Sequence, residues 1–339
     1  MKKVLLGTTA LVAAAAFAGI GVAQADDEMM AEPISVSVGG YYTAAIINAD
    51  TGDASRGHSI QQNNEFNIGG STTLDNGMTA GVRARLTTND YEHSDEREVF
   101  FSGGFGSIHM GNIEGAAQQM DTWVPGNSAA IGGIKSPWFG GIMGGWTTNA
   151  IMNEDSTKIV YFAPSFNGLG VAVSYAPENS TASYASDSTA DGHNSEQITA
   201  ALSYSMDVGG GSVSANIGTE MYTAEADAAG NVGDDPSGMR YGLVVSIDQI
   251  GIGGAIYEQE IGDTTNTYST YGISWSEGPM MVGIQYGSNE QGEASTTQTA
   301  FNINYNMGPG VDLGLQAANI EPEGGGGYSQ ILLGTWFAF

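Results

Sequence analysis

Apolar and polar residues alternate along most of the chain. In "AFNINYNM", Phe301, Ile303, Tyr305 and Met307 share one face while Asn302, Asn304 and Asn306 share the other. A period of two sorts residues into faces only in an extended strand. The same period runs through Ile198, Ala200, Leu202, Tyr204 and Met206, through Val213, Ala215, Ile217 and Met221, and through Tyr241, Leu243, Val245 and Ile247. It returns at Tyr271, Ile273 and Trp275, and at Val282, Ile284 and Tyr286.

The connections between these segments come in two sizes that alternate. Seven are turn-like, at 74–78, 104–107, 165–169, 207–211, 248–251, 276–279 and 307–310, rich in the Gly, Asn and Asp that tight turns demand. Eight longer polar stretches lie near 48–62, 88–96, 114–155, 178–195, 223–238, 260–267, 288–296 and 320–327. Together they join sixteen strands. An even number returns both chain ends to the short-turn side, where the first strand can pair with the last.

Closure is required if the strands face lipid, because each unpaired backbone group costs several kcal/mol in hydrocarbon. The expected fold is therefore all-β: a 16-stranded antiparallel transmembrane β-barrel with short periplasmic turns and long extracellular loops. A barrel of this size encloses water, and the Asn, Ser and Thr faces suit that interior. Strand-end tyrosines at 175, 204, 222, 257, 286 and 305 suit the interfacial girdles of such a barrel.

The two ends narrow the setting. Lys2 and Lys3, an apolar run and "AQA" at 23–25 form the three parts of a secretory signal peptide, so residues 1–25 are expected to be removed and 26–339 to form one barrel domain. The chain closes on "ILLGTWFAF", ending in a bare phenylalanine, where soluble chains usually finish in polar, frayed residues.

Composition removes alternatives. The chain carries −28, and without Lys2 and Lys3 seven basic residues face 37 acids, a net −30. Nucleic acid and anionic lipid are thereby excluded as electrostatic partners. An exported chain with no cysteine has no disulfide framework. A calcium-binding β-roll fits the Gly and Asp content, but its "GGxGxD" repeat is missing. A soluble structural or adhesive surface β-protein is the alternative outside transport.

Three stretches carry a family resemblance: "EVFFSGGFGSIHMGN" at 98–112, "TKIVYFAPSFNGLGVAVSY" at 157–175 and the terminal "FAF". They resemble the trimeric general-diffusion porins of Gram-negative outer membranes, in the branch shared by α-proteobacterial and neisserial-type proteins. The resemblance implies a homotrimer in outer-membrane lipid and lipopolysaccharide that passes ions and small hydrophilic solutes by diffusion. It also implies that Phe337 and Phe339 form the signal read by the outer-membrane assembly machinery. In such porins the third long loop, here 114–155, folds inward and narrows the channel. Its "PWFGG" at 137–141 is similar to an enteric-porin loop motif, with Trp138 where that motif has glutamate.

That resemblance organises the candidate pore residues. In "GVRARLTT", Val82, Ala84 and Leu86 suit lipid and Arg83 and Arg85 take the other face. An arginine facing mid-bilayer lipid costs about 2 to 4 kcal/mol, so both are assigned to the lumen. Arg97 and Lys158 are expected to join them as a basic wall, with Glu65 blunting the cluster. The facing loop offers Asp121, Trp123, Trp138, Phe139 and Trp146. Mild cation preference is expected from the acidic vestibule. A solute-selective porin, with the aromatic residues stacking on sugars or another planar nutrient, is the transport alternative.

No cofactor is expected. The loop acids Asp50, Asp53, Glu92, Asp95, Glu96, Asp187, Asp191, Asp234 and Asp235 offer oxygens to Ca²⁺, but no spacing matches a calcium loop, and simple solvated acidic loops are the expectation. The four histidines, His58, His93, His109 and His193, stand in no nucleophile or metal spacing. No enzyme activity is expected, and His109 is expected on a strand without a catalytic partner.

Overall fold

The computed structural model describes residues 33–50, 57–87, 95–134, 139, 155–179, 194–226, 230–292 and 294–339. The segment read as a signal peptide lies outside them. Sixteen strands follow one another: β1 (Ser35–Asp50), β2 (His58–Thr73), β3 (Thr79–Leu86), β4 (Arg97–Gly103), β5 (Gly106–Ile113), β6 (Ser156–Phe162), β7 (Leu169–Glu178) and β8 (Ser195–Val208) form the first half. The second half is β9 (Gly211–Thr223), β10 (Ser237–Ile247), β11 (Ile250–Ile261), β12 (Thr264–Glu277), β13 (Met280–Gln291), β14 (Ala294–Gly308), β15 (Val311–Pro322) and β16 (Tyr328–Ala338). Each pairs antiparallel with its sequence neighbours, and β16 pairs with β1, so the sheet is a closed barrel.

Phe339 makes the last rung of this pairing. Gly40 N–H donates to the Phe339 carbonyl at 3.0 Å, and Phe339 N–H donates back to Gly40 at 3.1 Å. The final backbone groups thus complete the seam, while the Phe339 ring stays outward, 5.8 Å from Phe66. Phe337, Leu333 and Ile331 continue that outward face.

Side chains sort by parity. Leu202, Ile217, Leu243, Ile273, Ile284, Phe301 and Leu315 are exposed on the outside, whereas Gln197, Gln285, Asn302, Gln316 and Gln330 are buried on the inside. This inverts a soluble barrel and matches a membrane barrel with a polar lumen. Among the described residues no helix is long and apolar enough to cross a membrane; strands cross instead.

The seven short turns close where the sequence places them. Gly77 takes φ +76° after Asp75 and Asn76, a conformation glycine adopts without Cβ strain. Two of the expected long loops are instead tight hairpins. Ile261 pairs with Thr264, and Gln291 with Ala294. The first of these polar segments is rich in Thr, a strand former, and both carry the ladder on as tall hairpins.

Tyrosines also divide. Tyr204, Tyr286 and Tyr305 are exposed on the outer surface. Tyr222 and Tyr257, expected in the same girdles, are buried inside the barrel beside Glu220 and Arg240.

Candidate pore and its constriction

The third loop lies against the inner wall. It starts with a single helical turn, α1 (Ala116–Gln119), whose Ala116 and Ala117 N–H groups donate to Ser174 Oγ and Thr199 Oγ1, each at 3.2 Å. Gln285 Nε2 then donates to the Pro125 carbonyl at 3.1 Å and to Asn127 Oδ1 at 2.8 Å. Asn302 Nδ2 donates to Gly126 O at 2.8 Å, and Thr43 Oγ1 to Ala130 O at 2.9 Å. Strand amides and hydroxyls therefore satisfy loop backbone that water would otherwise have to reach.

Glycine makes that approach possible. A Cβ added to Gly272 would stand 2.0 Å from Pro125 O, one on Gly283 2.4 Å from Gly126 Cα, and one on Gly334 2.4 Å from Ile131 Cγ2. Part of the high glycine content thus forms a track in the lumen wall that receives the loop.

Phe139 belongs to this packing rather than to the channel. It is 3% exposed, in a cluster with Ala45, Ile47, Ala130, Ile131 and Leu332. Its expected place in the eyelet is therefore corrected, because the ring gains more by burial against the wall than by facing water. Trp123 is different, with 59% exposure on the loop. Trp138 and Trp146 lie outside the described residues.

On β2–β5 the expected basic wall is a mixed-charge network. Arg83 and Arg85 face the lumen, opposite Gly69 and Asn67. Arg83 Nη2 lies 2.8 Å from Glu98 Oε1 and 3.5 Å from Glu96 Oε2. Arg85 Nη1 lies 3.1 Å from Glu96, and its Nε lies 3.7 Å from Glu65. Three carboxylates thus hold two guanidinium groups. Their value is local charge rather than stability, since pairing such buried carboxylates with arginine does little more than offset the cost of taking them out of water.

Three other candidates occupy different places. Arg97 sits opposite Ala84 and Asn112, on the face of Val99, which points out of the barrel. Lys158 lies opposite Gly111 on the lumen face but is 3% exposed, with Asp155, Glu220, Glu114 and Glu96 acting on its charge. It is packed in the wall, away from open water. Asp121, expected to oppose the basic wall across the channel, turns to the lumen wall instead. Its Oδ2 lies 3.6 Å from Arg240 Nη1, and its Oδ1 accepts from Thr122 N at 2.7 Å.

Arg240 and Glu220 were not singled out in the sequence. Arg240 is 1% exposed, ion-paired to the fully buried Glu220, with its guanidinium 5.2 Å from the Tyr257 ring centroid. The signal was present: Arg240 sits between Met239 and Tyr241, the same parity pattern that assigned Arg83 and Arg85.

Loop carboxylates near the network titrate close to neutrality. Burial raises Glu96 to about 7, against the opposing pull of Arg85 and Arg83. Burial, with Glu96, Asp95 and Glu114 adding repulsion, raises Asp155 to about 8. Both pKa values lie above that of a free carboxylate, so their stabilising contribution is complete near pH 4 and is lost as pH rises through about 7 to 8. Acidification also removes lumen negative charge. The K⁺/Cl⁻ permeability ratio is expected to fall between about pH 8.5 and about 5.5, with Glu96→Gln flattening the response; a flat wild-type profile contradicts the assignment.

His109 has partners after all. Its Nδ1 lies 2.7 Å from Glu98 Oε2 and its Nε2 3.1 Å from Ser107 Oγ. That relay is connected like a serine nucleophile and its base. However, Ser107 pairs with Ser102 and Phe162 on its two sides, so the local N–H groups belong to the ladder and not to an oxyanion site. Among the described residues no group of three His, Asp or Glu is placed to hold a metal ion. Asp53, Glu92, Asp187 and Asp191 lie outside them.

The anion-selective porin from Comamonas acidovorans shares 16% identity at TM-score 0.64, covering 91% of this chain and all of that one. OmpT, an outer membrane protein of Vibrio cholerae, with its loop L8 deleted, shares 12% at TM-score 0.65 over 91% of this chain and all of that one. A Rh. blastica porin mutant shares 14% at TM-score 0.58, covering 90% and 100%. These likenesses show the shared barrel fold. No curated protein matches the sequence. The family model for Gram-negative porins matches residues 8–325. Together with the closed barrel and its polar lumen, that match makes the chain a member of the Gram-negative porin family, a channel protein of the outer membrane.

Proposed function

We propose that this porin is a general-diffusion channel with a mild preference for cations, passing ions and small hydrophilic solutes. The observation that carries the reading is the network in which Glu65, Glu96 and Glu98 hold Arg83 and Arg85. Ions passing this stretch meet carboxylates at least equal in number to the guanidinium groups, and the vestibule adds the surplus acid of the chain. A fixed negative potential in a low-dielectric wall concentrates cations and repels anions. Single-channel recording of the refolded protein in a planar bilayer tests the channel itself. Discrete ohmic steps are expected; stable insertion without current contradicts it.

A second reading has one observation in its favour, the exposed ring of Trp123 on the constriction loop. In that reading the ring stacks on sugars or another planar nutrient. Concentration-dependent block of current by a sugar supports it, and unaltered current removes it.

The assembly we propose is a homotrimer in outer-membrane lipid and lipopolysaccharide, inserted through recognition of Phe337 and Phe339. Protomers meet through the outer face of β1–β4. There Gln62 and Arg97 interrupt an otherwise apolar surface, sharing the outward parity of Ala44 and Ala84. Polar groups on that face are better matched by a neighbouring protomer than by lipid. Ala84→Arg is expected to convert trimers to monomers in detergent, measured by light scattering, while Ala200→Arg on β8 leaves them intact. Equal behaviour of the two variants places the interface elsewhere.

A further inference from the structure

We infer that Arg240 is a latch that holds the constriction loop at its working position, a positioning residue for the pore rather than a group that meets the solute. The inference rests on the channel reading above. Arg240 reaches two carboxylates from different parts of the chain: Glu220 on the neighbouring strand β9 and Asp121 on the loop, just past α1. The Glu220 end is itself fixed. Tyr222 donates to Glu220 Oε2 at 3.0 Å, and Gln197 Nε2 donates to the Tyr222 hydroxyl at 2.7 Å. Tyr257 covers the guanidinium face, an arrangement that favours arginine over lysine.

The wall is shaped to admit this pair. Gly218 stands opposite Arg240 in the ladder, and a Cβ there would lie 3.0 Å from both Arg240 Cγ and Ala117 Cβ. The missing side chain lets the arginine and the loop helix share one space. Asn216 Nδ2, 3.4 Å from Asp121 Oδ1, and Gly242, whose added Cβ would lie 3.0 Å from Thr122 Cβ, bring the wall to the same loop segment.

With Arg240 held by Glu220 in either case, the Asp121 contact adds little to overall stability, but its attraction is felt only when the loop lies at this place on the wall. Such a pair therefore selects one register of loop against wall. Two residues beyond Asp121 the loop presents Trp123, whose ring is exposed in the barrel interior. Release of Asp121 thus frees the part of the loop nearest the water path.

The direct test is Asp121→Asn, which keeps the side-chain shape and leaves the Arg240–Glu220 pair in place. Asp121→Glu retains the charge. Single-channel traces of Asp121→Asn are expected to show about tenfold more frequent sublevel transitions than wild type, which corresponds to about 1.4 kcal/mol lost from the latched position. Its limit for neutral polymer entry should widen, while its melting temperature and the trimer remain. Asp121→Glu should behave as wild type. A merely structural role would move the melting temperature and leave current fluctuations and polymer entry alone. A conducting wild type with Asp121→Asn traces and polymer limit unaltered overturns the latch alone. A wild type that carries no current overturns the channel reading and the latch with it.

Discussion

Replacing Glu96 and Glu98 together by glutamine is expected to move the channel from cation preference to parity or anion preference. The two substitutions leave Arg83 and Arg85 facing only Glu65. Above about pH 8, where Glu96 is ionised, the local count passes from one surplus negative charge to one surplus positive charge. At an effective dielectric between protein and water, a unit change a few ångströms from the ion path is worth about 1 kcal/mol, so the K⁺/Cl⁻ ratio should change about fivefold or more. Folding should survive, because the Arg83 side chain is 41% exposed and can be hydrated. The check is the reversal potential in a KCl gradient. An unaltered value would mean that ions pass elsewhere than along β2–β5.

Gly272→Val and Gly283→Val are expected to push the constriction loop off its wall. A Cβ at either position overlaps loop backbone, Pro125 O in one case and Gly126 Cα in the other, and backbone cannot rotate away as a flexible side chain can. Overpacking of this kind costs about 1 to 3 kcal/mol, and the loop can relieve it only by moving toward the channel axis. Conductance should fall and the melting temperature should drop. Gly104→Ala provides the control, since nothing lies within 4 Å of a Cβ there. Wild-type conductance in both valine variants would show that the glycine track does not set the loop position.

Much of this architecture could be read from residue order because two simple signals agree. Side-chain parity identified the strands, and turn residues such as Asp75-Asn76-Gly77 marked where the chain reverses. Failures came where one signal was missing. The segment after Ile261 is polar enough to resemble a loop, yet its threonines continue the ladder. In "REVFFSG" apolar residues occupy both parities, so nothing in the segment disclosed that Arg97 faces outward. Phe139 and Asp121 lie in a loop without periodicity, where only the folded wall decides what each side chain meets. The partners of Arg83 and Arg85 are likewise set by the register of β3 against its two neighbours β2 and β4, which parity alone does not give.

The most direct test of the account is the zero-current potential of the wild-type channel across a KCl gradient at about pH 8.5, above the raised values of Glu96 and Asp155. A potential of the sign set by faster K⁺ movement, declining as the solution is acidified, is the predicted result. An anion-signed potential at that pH would contradict the claim that Glu65, Glu96 and Glu98 outweigh Arg83 and Arg85 along the path of the ions.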